Sequence, residues 1–93
     1  MMQDSQQNQT KVIETTLLDL ARERGPTKSF CPSEAARKIA GDHPDHWGPL
    51  MQPIRRCAVT LAQSGRLLIL RKGQPVDPLD FKGVYRLSLP RND

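Results

Sequence analysis

"PIRRCAVTLAQSGRLLILRKG", residues 53–73, places a helix pattern, a glycine stop and an apolar strand in direct succession. Apolar residues in its first half recur every three or four positions, which is the spacing of one buried helix face. Because proline is tolerated only in the first turn, the helix is predicted to run from Pro53 to near Ser64, with Gly65 as its C-terminal cap. The following segment "RLLILRKG", residues 66–73, has the apolar, branched character of a β-strand.

A second strand is predicted at "VYRLSL", residues 84–89, where apolar and polar residues alternate. It is the natural antiparallel partner of the strand that follows the helix. The intervening "QPVDPLDFKG", residues 74–83, is too long and too rich in proline for a tight turn, so it is predicted to form an open loop. The chain therefore ends in a β-hairpin with a long connection.

Two further helices are predicted upstream. The first runs from Lys11 to Arg24, with Thr10 as its N-cap, and the Gly-Pro pair at Gly25 ends it. Its apolar residues form one stripe at helical spacing. Residues 27–30 are short and could form a very brief strand.

The second helix is predicted to begin at Pro32, because a proline at the first helical position gives up only an N–H that would be unpaired there. Cys31 then occupies the N-cap and Glu34 stands in capping-box register, although a thiol is a poor substitute for a hydroxyl. Gly41 ends the helix. The turn-forming segment 42–48 is predicted to be a loop that leads into a tight helical turn.

This order of elements predicts an α+β fold of the winged helix-turn-helix type, with three helices followed by a β-hairpin wing. Residues 1–10 are predicted to be a disordered N-terminal tail, residues 11–90 the winged-helix domain and residues 91–93 a C-terminal tail. No helix is left over to build a dimer interface. Because aromatic residues make up only 4% of the chain, the core is expected to be aliphatic, with Trp47 as its largest piece.

Length and composition predict a single small domain that does not span a membrane. Ninety-three residues suit one small domain, and no apolar run approaches the roughly 20 residues of a membrane span. The first ten residues lack the pattern of a signal peptide, so a cytoplasmic location without membrane contact is predicted. Cys31 and Cys57 are far apart in sequence and are expected to be reduced, with Cys57 inert on the core face of its helix.

Three motifs are similar to those of a known family. "PSEAAR" at residues 32–37, "WGPLM" at residues 47–51 and "GVYRL" at residues 83–87 resemble the motifs of a bacterial family of small domains of unknown function. The resemblance covers roughly residues 12–89. It implies a winged-helix-like fold and a bacterial origin, and it implies no activity. This chain departs from the pattern at Gly48, where a polar or basic residue is expected.

Positive charge is concentrated in the second half of the chain. The net charge is +4, and no acidic residue occurs between Asp45 and Asp77. That interval contains five basic residues, namely Arg55, Arg56, Arg66, Arg71 and Lys72. A positive field on one part of a small domain attracts polyanions, although any solvated helix face can also be basic.

The third helix of a winged helix enters the major groove of DNA, so its outward face is the predicted site for double-stranded DNA. Its polar and apolar contact residues would be Gln52, Arg55, Arg56, Val59, Thr60 and Gln63. Arg and Gln can read guanine and adenine, and Thr can contact a thymine methyl group. Phosphates would be held by Arg66, Arg71 and Lys72. Replacing Arg55 and Arg56 together by alanine is expected to abolish binding and to leave stability unchanged.

A second hypothesis is a protein-interaction module with no nucleic-acid binding, because winged helices also serve in protein docking. Its contact would be the loop 74–83 or an apolar patch formed by Val59 and residues 67–69. Arg37 and Arg86 fit either phosphate contacts or internal ion pairs, and the internal role is favoured for both.

No enzymatic activity, cofactor or metal is predicted. The chain has no glycine-rich phosphate loop, no nucleophile elbow and no helix carrying a paired acid and base. The segment "DHPDH", residues 42–46, offers potential zinc ligands, but its spacing matches no zinc signature.

Overall fold

The computed structural model describes residues 5–90 and shows an α+β fold with a winged-helix-like layout. Three main helices are followed by a small three-stranded antiparallel sheet, which confirms the predicted fold class. The elements in chain order are α1 Ser5–Arg24, α2 Pro32–Ala40, α3 Pro44–Trp47, a 3₁₀ turn Gly48–Leu50, α4 Met51–Gln63, β1 Leu68–Arg71, β2 Gln74–Pro75 and β3 Arg86–Ser88. Within the described residues, no helix is long and apolar enough to cross a membrane.

Helix α1 begins six residues earlier than predicted, at Ser5 instead of Lys11. Glutamine is a good helix former, and neither Gly nor Pro interrupts the chain before Gly25, so the polar segment continues the helix. Thr10 is therefore inside α1 and is not its N-cap. Residues 1–4 of the predicted tail, and the predicted tail 91–93, lie outside the described residues.

The predicted end of α1 is confirmed. The backbone N–H of Gly25 donates to the carbonyl oxygen of Ala21 at 2.9 Å, and Gly25 has a φ of 79°. This left-handed conformation is open to glycine without the Cβ penalty that other residues meet.

Helix α2 also begins and ends as predicted. The Glu34 carboxylate accepts the backbone N–H of Cys31 at 3.0 Å, so the glutamate half of the capping box is formed. Pro32 occupies the first turn, and Ala40 is the last helical residue before Gly41.

The segment between α2 and α4 is more helical than predicted. Part of the expected loop forms α3, where the Nδ1 atom of His43 caps the helix by accepting the N–H of Asp45 at 3.1 Å. Helix α4 begins at Met51, two residues before the predicted start. Pro53 still lies in the first turn, where its missing N–H breaks no helical hydrogen bond.

Trp47 is half-buried and packs against the edge of the core cluster, so the prediction that it is the largest core residue is wrong. Its Nε1 donates to the Asp42 carbonyl oxygen at 3.2 Å, and the Arg37 guanidinium carbon lies 5.7 Å from its ring centroid. Phe30 is instead the largest fully buried side chain. It lies in the core with the inward faces of α1, α4 and the sheet.

The sheet has the strand order β2-β1-β3, with Leu68 opposite Ser88 in the predicted antiparallel pair. The chain turns directly after β1, through Lys72 and Gly73, into the short strand β2, so the loop prediction is wrong at its first residues. The predicted strand at 27–30 is reduced to one bridge, in which Phe30 and Leu87 exchange hydrogen bonds of 2.8 and 2.9 Å.

Candidate nucleic-acid interface

Helix α4 has one core face and one solvent face. The core face is buried and consists of Ile54, Cys57, Ala58 and Leu61. The predicted contact residues Gln52, Arg56, Thr60 and Gln63 are exposed. Val59 is half-buried and packs against the core cluster. The hydrophobic pattern thus orients the helix as predicted, with most of the polar contact residues facing water.

A groove of about 440 Å³ separates this face of α4 from the first half of α1. It is lined by Gln9, Thr10, Glu14, Pro53, Arg56, Cys57 and Thr60. The Thr60 hydroxyl donates to the carbonyl oxygen of Arg56 at 3.2 Å, within the helix. The extension of α1 by its N-terminal turns therefore places polar side chains beside the exposed face of α4.

The Arg55 guanidinium is held within the domain, which corrects the prediction that this side chain points to solvent. Its Nη2 donates to the carbonyl oxygen of Phe81 at 2.7 Å, and its guanidinium carbon lies 3.9 Å from the Phe81 ring centroid. The ring of Tyr85 is the next aromatic neighbour, at 5.7 Å. Arg55 therefore fastens the loop between β2 and β3, which we term the wing loop (residues 76–85), to the side of α4.

Arg71 has a similar internal role. Its Nη1 donates to the Val84 carbonyl oxygen at 2.7 Å. Gly83 has a φ of 85°, a conformation that favours glycine, and a Cβ there would lie 2.6 Å from this Nη1 and displace the end of the Arg71 side chain. Together, Arg55 and Arg71 hold the returning arm of the wing loop against α4 and β1.

The other two predicted phosphate-binding residues differ from each other. The Arg66 side chain is half-exposed and lies 3.8 Å from the Glu14 carboxylate, a surface ion pair of small energetic value. Lys72 is exposed at the turn after β1, with a φ of 52°.

Arg37 and Arg86 take internal roles, as favoured from the sequence, but with other partners. Arg37 lies over Trp47 instead of pairing with an acid. Arg86 donates through Nε to the Ser29 hydroxyl at 2.6 Å and through Nη2 to the Ser29 carbonyl oxygen at 3.0 Å. Glu34 pairs with Arg24, and this hydrogen bond lowers the pKa of the Glu34 carboxyl from its ordinary value.

Groups that could support metal binding or nucleophilic chemistry are sparse in the described part of the chain. No cluster of three His, Cys, Asp or Glu side chains is found there within reach of one ion. Burial raises the pKa of the Cys57 thiol to about 11, so the thiol is protonated and unreactive near neutral pH.

Residues 10–90 match the DUF3253 family, which is described as a protein of unknown function. The chain belongs to this family. No curated protein matches the chain. The three motifs that carried the resemblance lie in α2, in the segment joining α3 to α4, and at the start of β3.

The apolar patch suggested for protein docking is not present in this DUF3253 domain. Leu67 and Ile69 are each only 1% exposed, so they belong to the core. Leu79 and Val84 are instead 72% and 82% exposed, and both lie in the wing loop. Leu79 lies in the loop 74–83, which is the other docking contact that the sequence suggested.

Tyr85 supplies a stability prediction, because its hydroxyl is the one buried side-chain polar atom of residues 5–90 that has no hydrogen-bond partner. Leaving a polar group unpaired costs about 1–3 kcal/mol. We expect Tyr85→Phe to retain or raise the free energy of unfolding at pH 7, by up to about 1 kcal/mol, in urea titrations. A decrease in the free energy of unfolding by more than about 1 kcal/mol would show that the Tyr85 hydroxyl has a hydrogen-bond partner.

The same variant has a signature at alkaline pH. Burial raises the pKa of Tyr85 from 10.0 to about 12. The folded state therefore disfavours the phenolate. The free energy of unfolding of the native protein is at its full value below the tyrosine pKa of the unfolded chain, and it falls as the pH rises from there toward the higher pKa of the folded protein. Phenylalanine does not titrate, so the advantage of Tyr85→Phe should grow between pH 10 and 12. An advantage that stays constant over this range would contradict the burial of the hydroxyl.

Proposed function

We propose that the protein binds double-stranded DNA by placing the exposed face of α4 in the major groove, with the wing loop beside it. One observation carries the proposal. The third main helix presents a row of hydrogen-bonding and cationic side chains with no acid among them, namely Gln52, Arg56, Thr60 and Gln63. In the helix-turn-helix class, this is the position of the helix that contacts bases.

The residue types suit base recognition. Arginine forms paired hydrogen bonds with guanine O6 and N7, and glutamine does so with adenine N6 and N7. Arg56 and Gln63 are seven positions apart on one face, which corresponds to about 10 Å along the helix. That separation equals about three base-pair steps of 3.4 Å, so the two side chains are spaced to contact two base pairs of one site.

The charge distribution supports the same face. The segment from His46 to Val76 contains no carboxylate side chain, so α4 and the turn after β1 carry only cations. Glu14 lies across the groove from Arg56, and its charge is partly offset by Arg66. A duplex approaching α4 would therefore meet a net positive field that draws it in.

A gel-shift titration against a mixed-sequence duplex at low and moderate salt tests the proposal. We expect the full chain to shift the duplex at low salt, and Arg56→Ala to weaken binding by about tenfold or more, because a bidentate contact to guanine is lost. The thermal unfolding midpoint should stay unchanged, since Arg56 is exposed. No shift at low salt would refute DNA binding.

The matched control is Arg22→Ala, which removes one exposed arginine from the last turn of α1. Both variants lower the net charge by one, so they change nonspecific attraction equally. A specific role of α4 requires that Arg22→Ala bind the duplex nearly as well as the native chain. Equal losses in the two variants would show that only total charge matters.

The exposure of Leu79 and Val84 favours protein docking through the wing loop as a second candidate. Both side chains lie in one loop, and exposed apolar surface that is contiguous often marks a contact site. A pulldown from lysate with and without nuclease separates the two functions. Partners that survive nuclease and are lost in Leu79→Ser would support docking, and partners removed by nuclease would support the proposal for α4.

A further inference from the structure

A second candidate binding site lies at the base of the wing. A partly open cavity of about 250 Å³ lies between the turn that follows β1 and the point where the wing loop returns into β3. Three basic residues line it, Arg71, Lys72 and Arg86, and the lining contains no acidic residue. Ser29 contributes a polar group, while Leu70 and Val84 give the cavity an aliphatic part.

The positive charge at this cavity is not neutralised within the domain. In the range 5–90, neither arginine nor Lys72 forms an ion pair with a carboxylate. Glu34 attracts Arg86 electrostatically, but its carboxylate is hydrogen-bonded to Arg24 and to the backbone of Cys31. An anion that enters the cavity would therefore have no internal carboxylate to displace.

Both arginines are held in place by contacts that leave donors available. Arg71 uses one N–H on the Val84 carbonyl oxygen, and Arg86 uses two on Ser29. A guanidinium carries five N–H donors, so each side chain keeps donors for a ligand. Because neither side chain has to be ordered on binding, less conformational entropy is lost when an anion enters.

We propose that this cavity binds a phosphate group of a nucleic-acid backbone. Guanidinium groups match the geometry and charge of phosphate oxygens. A phosphodiester also carries sugar carbons, which can pack on Leu70 and Val84, whereas a free phosphate gains nothing from them. The source of the phosphate rests on the function proposed for α4, but the cavity itself can be tested without DNA.

The first experiment uses inorganic phosphate as the probe, with chloride at equal ionic strength as reference. In ¹H–¹⁵N spectra of the full chain, we expect saturable shifts of the Ser29, Gly73 and Val84 amides with phosphate only. Lys72→Asn should lose most of these shifts, and asparagine tolerates the positive φ of the turn. Lys82→Asn, in the wing loop but outside the cavity lining, should retain them.

The two experiments distinguish failure of the phosphate site from failure of DNA binding. Shifts that chloride reproduces, or that disappear equally in Lys72→Asn and Lys82→Asn, would overturn the phosphate site. The second experiment measures duplex affinity against salt, where each phosphate contact contributes about 0.9 to the slope of log K against log salt. A slope lowered by about that amount in Lys72→Asn supports the backbone as the source. An unchanged slope overturns that source, and absence of any duplex binding refutes the α4 proposal independently of the phosphate result.

Discussion

Phe30→Ala is expected to lower the free energy of unfolding by about 3–5 kcal/mol, because it leaves a large cavity in the middle of a small core. Phe30 is fully buried, and its backbone pairs with Leu87, so it joins the helices to the sheet. A domain of this size has a total stability of only about 5–15 kcal/mol. The variant should therefore be partly unfolded at physiological temperature, and circular dichroism with urea titration would measure the loss.

The companion variant Phe30→Leu keeps this prediction testable if Phe30→Ala does not fold. Leucine retains most of the buried apolar volume and should cost much less, about 1.5 kcal/mol. Truncating Leu79 to alanine is the matched control, because that side chain is 72% exposed and its loss should change stability by less than about 0.5 kcal/mol. A Phe30→Ala variant as stable as the Leu79 control would contradict the central place of Phe30.

Local sequence signals predicted the elements whose boundaries depend on nearby residues. Gly25 ends α1, Glu34 caps α2 and Pro53 lies in the first turn of α4, each for a reason visible within four positions of sequence. The antiparallel pairing of β1 with β3 was also predicted, from the apolar, branched composition of the first strand and the alternation in the second. Helix caps, helix ends and the hydrophobic period depend on residues that are close together in the chain. They can therefore be predicted from a single sequence.

The failed predictions depend on contacts between distant residues. Arg55 donates a hydrogen bond to the carbonyl oxygen of Phe81, which lies 26 positions away in the sequence. No sequence pattern around Arg55 predicts this partner. Trp47 is half-buried, with Asp42 and Arg37 as its polar neighbours, although its size suggested the core. Arg55 and Arg56 are adjacent and equivalent as sequence signals. Only the folded position of the wing loop shows that Arg55 is bonded to the loop while Arg56 is exposed.

These corrections reduce the predicted interface, because Arg55 and part of the Arg71 guanidinium are already bonded within the domain. Arg56 and the polar residues beside it remain available for base contacts. Lys72 and the second guanidinium donors of Arg71 remain available for phosphate. Arg55 becomes a positioning residue, because it sets where the wing loop stands relative to α4.

Arg55 connects helix and wing through two kinds of contact. Hydrogen bonds that involve a charged group contribute about 1.5–3 kcal/mol, and stacking of a cation on an aromatic ring adds about 0.5–2 kcal/mol. Phe81 is only 8% exposed beneath this guanidinium, so the contact seals the wing loop onto the core. Loss of the cation would leave the Phe81 carbonyl oxygen without this donor.

Arg55→Met keeps much of the aliphatic volume of the side chain and removes its charge and donors. We expect it to lower the free energy of unfolding by about 2–4 kcal/mol and to speed amide hydrogen exchange in residues 76–85. Arg56→Met is the matched control, one position along the same helix and with the same change of charge. It should leave both stability and wing-loop exchange unchanged while weakening duplex binding. Equal stability of the two variants would refute the positioning role. Selective loss in Arg55→Met, together with weakened duplex binding, would show that the wing loop must be held beside α4 for recognition.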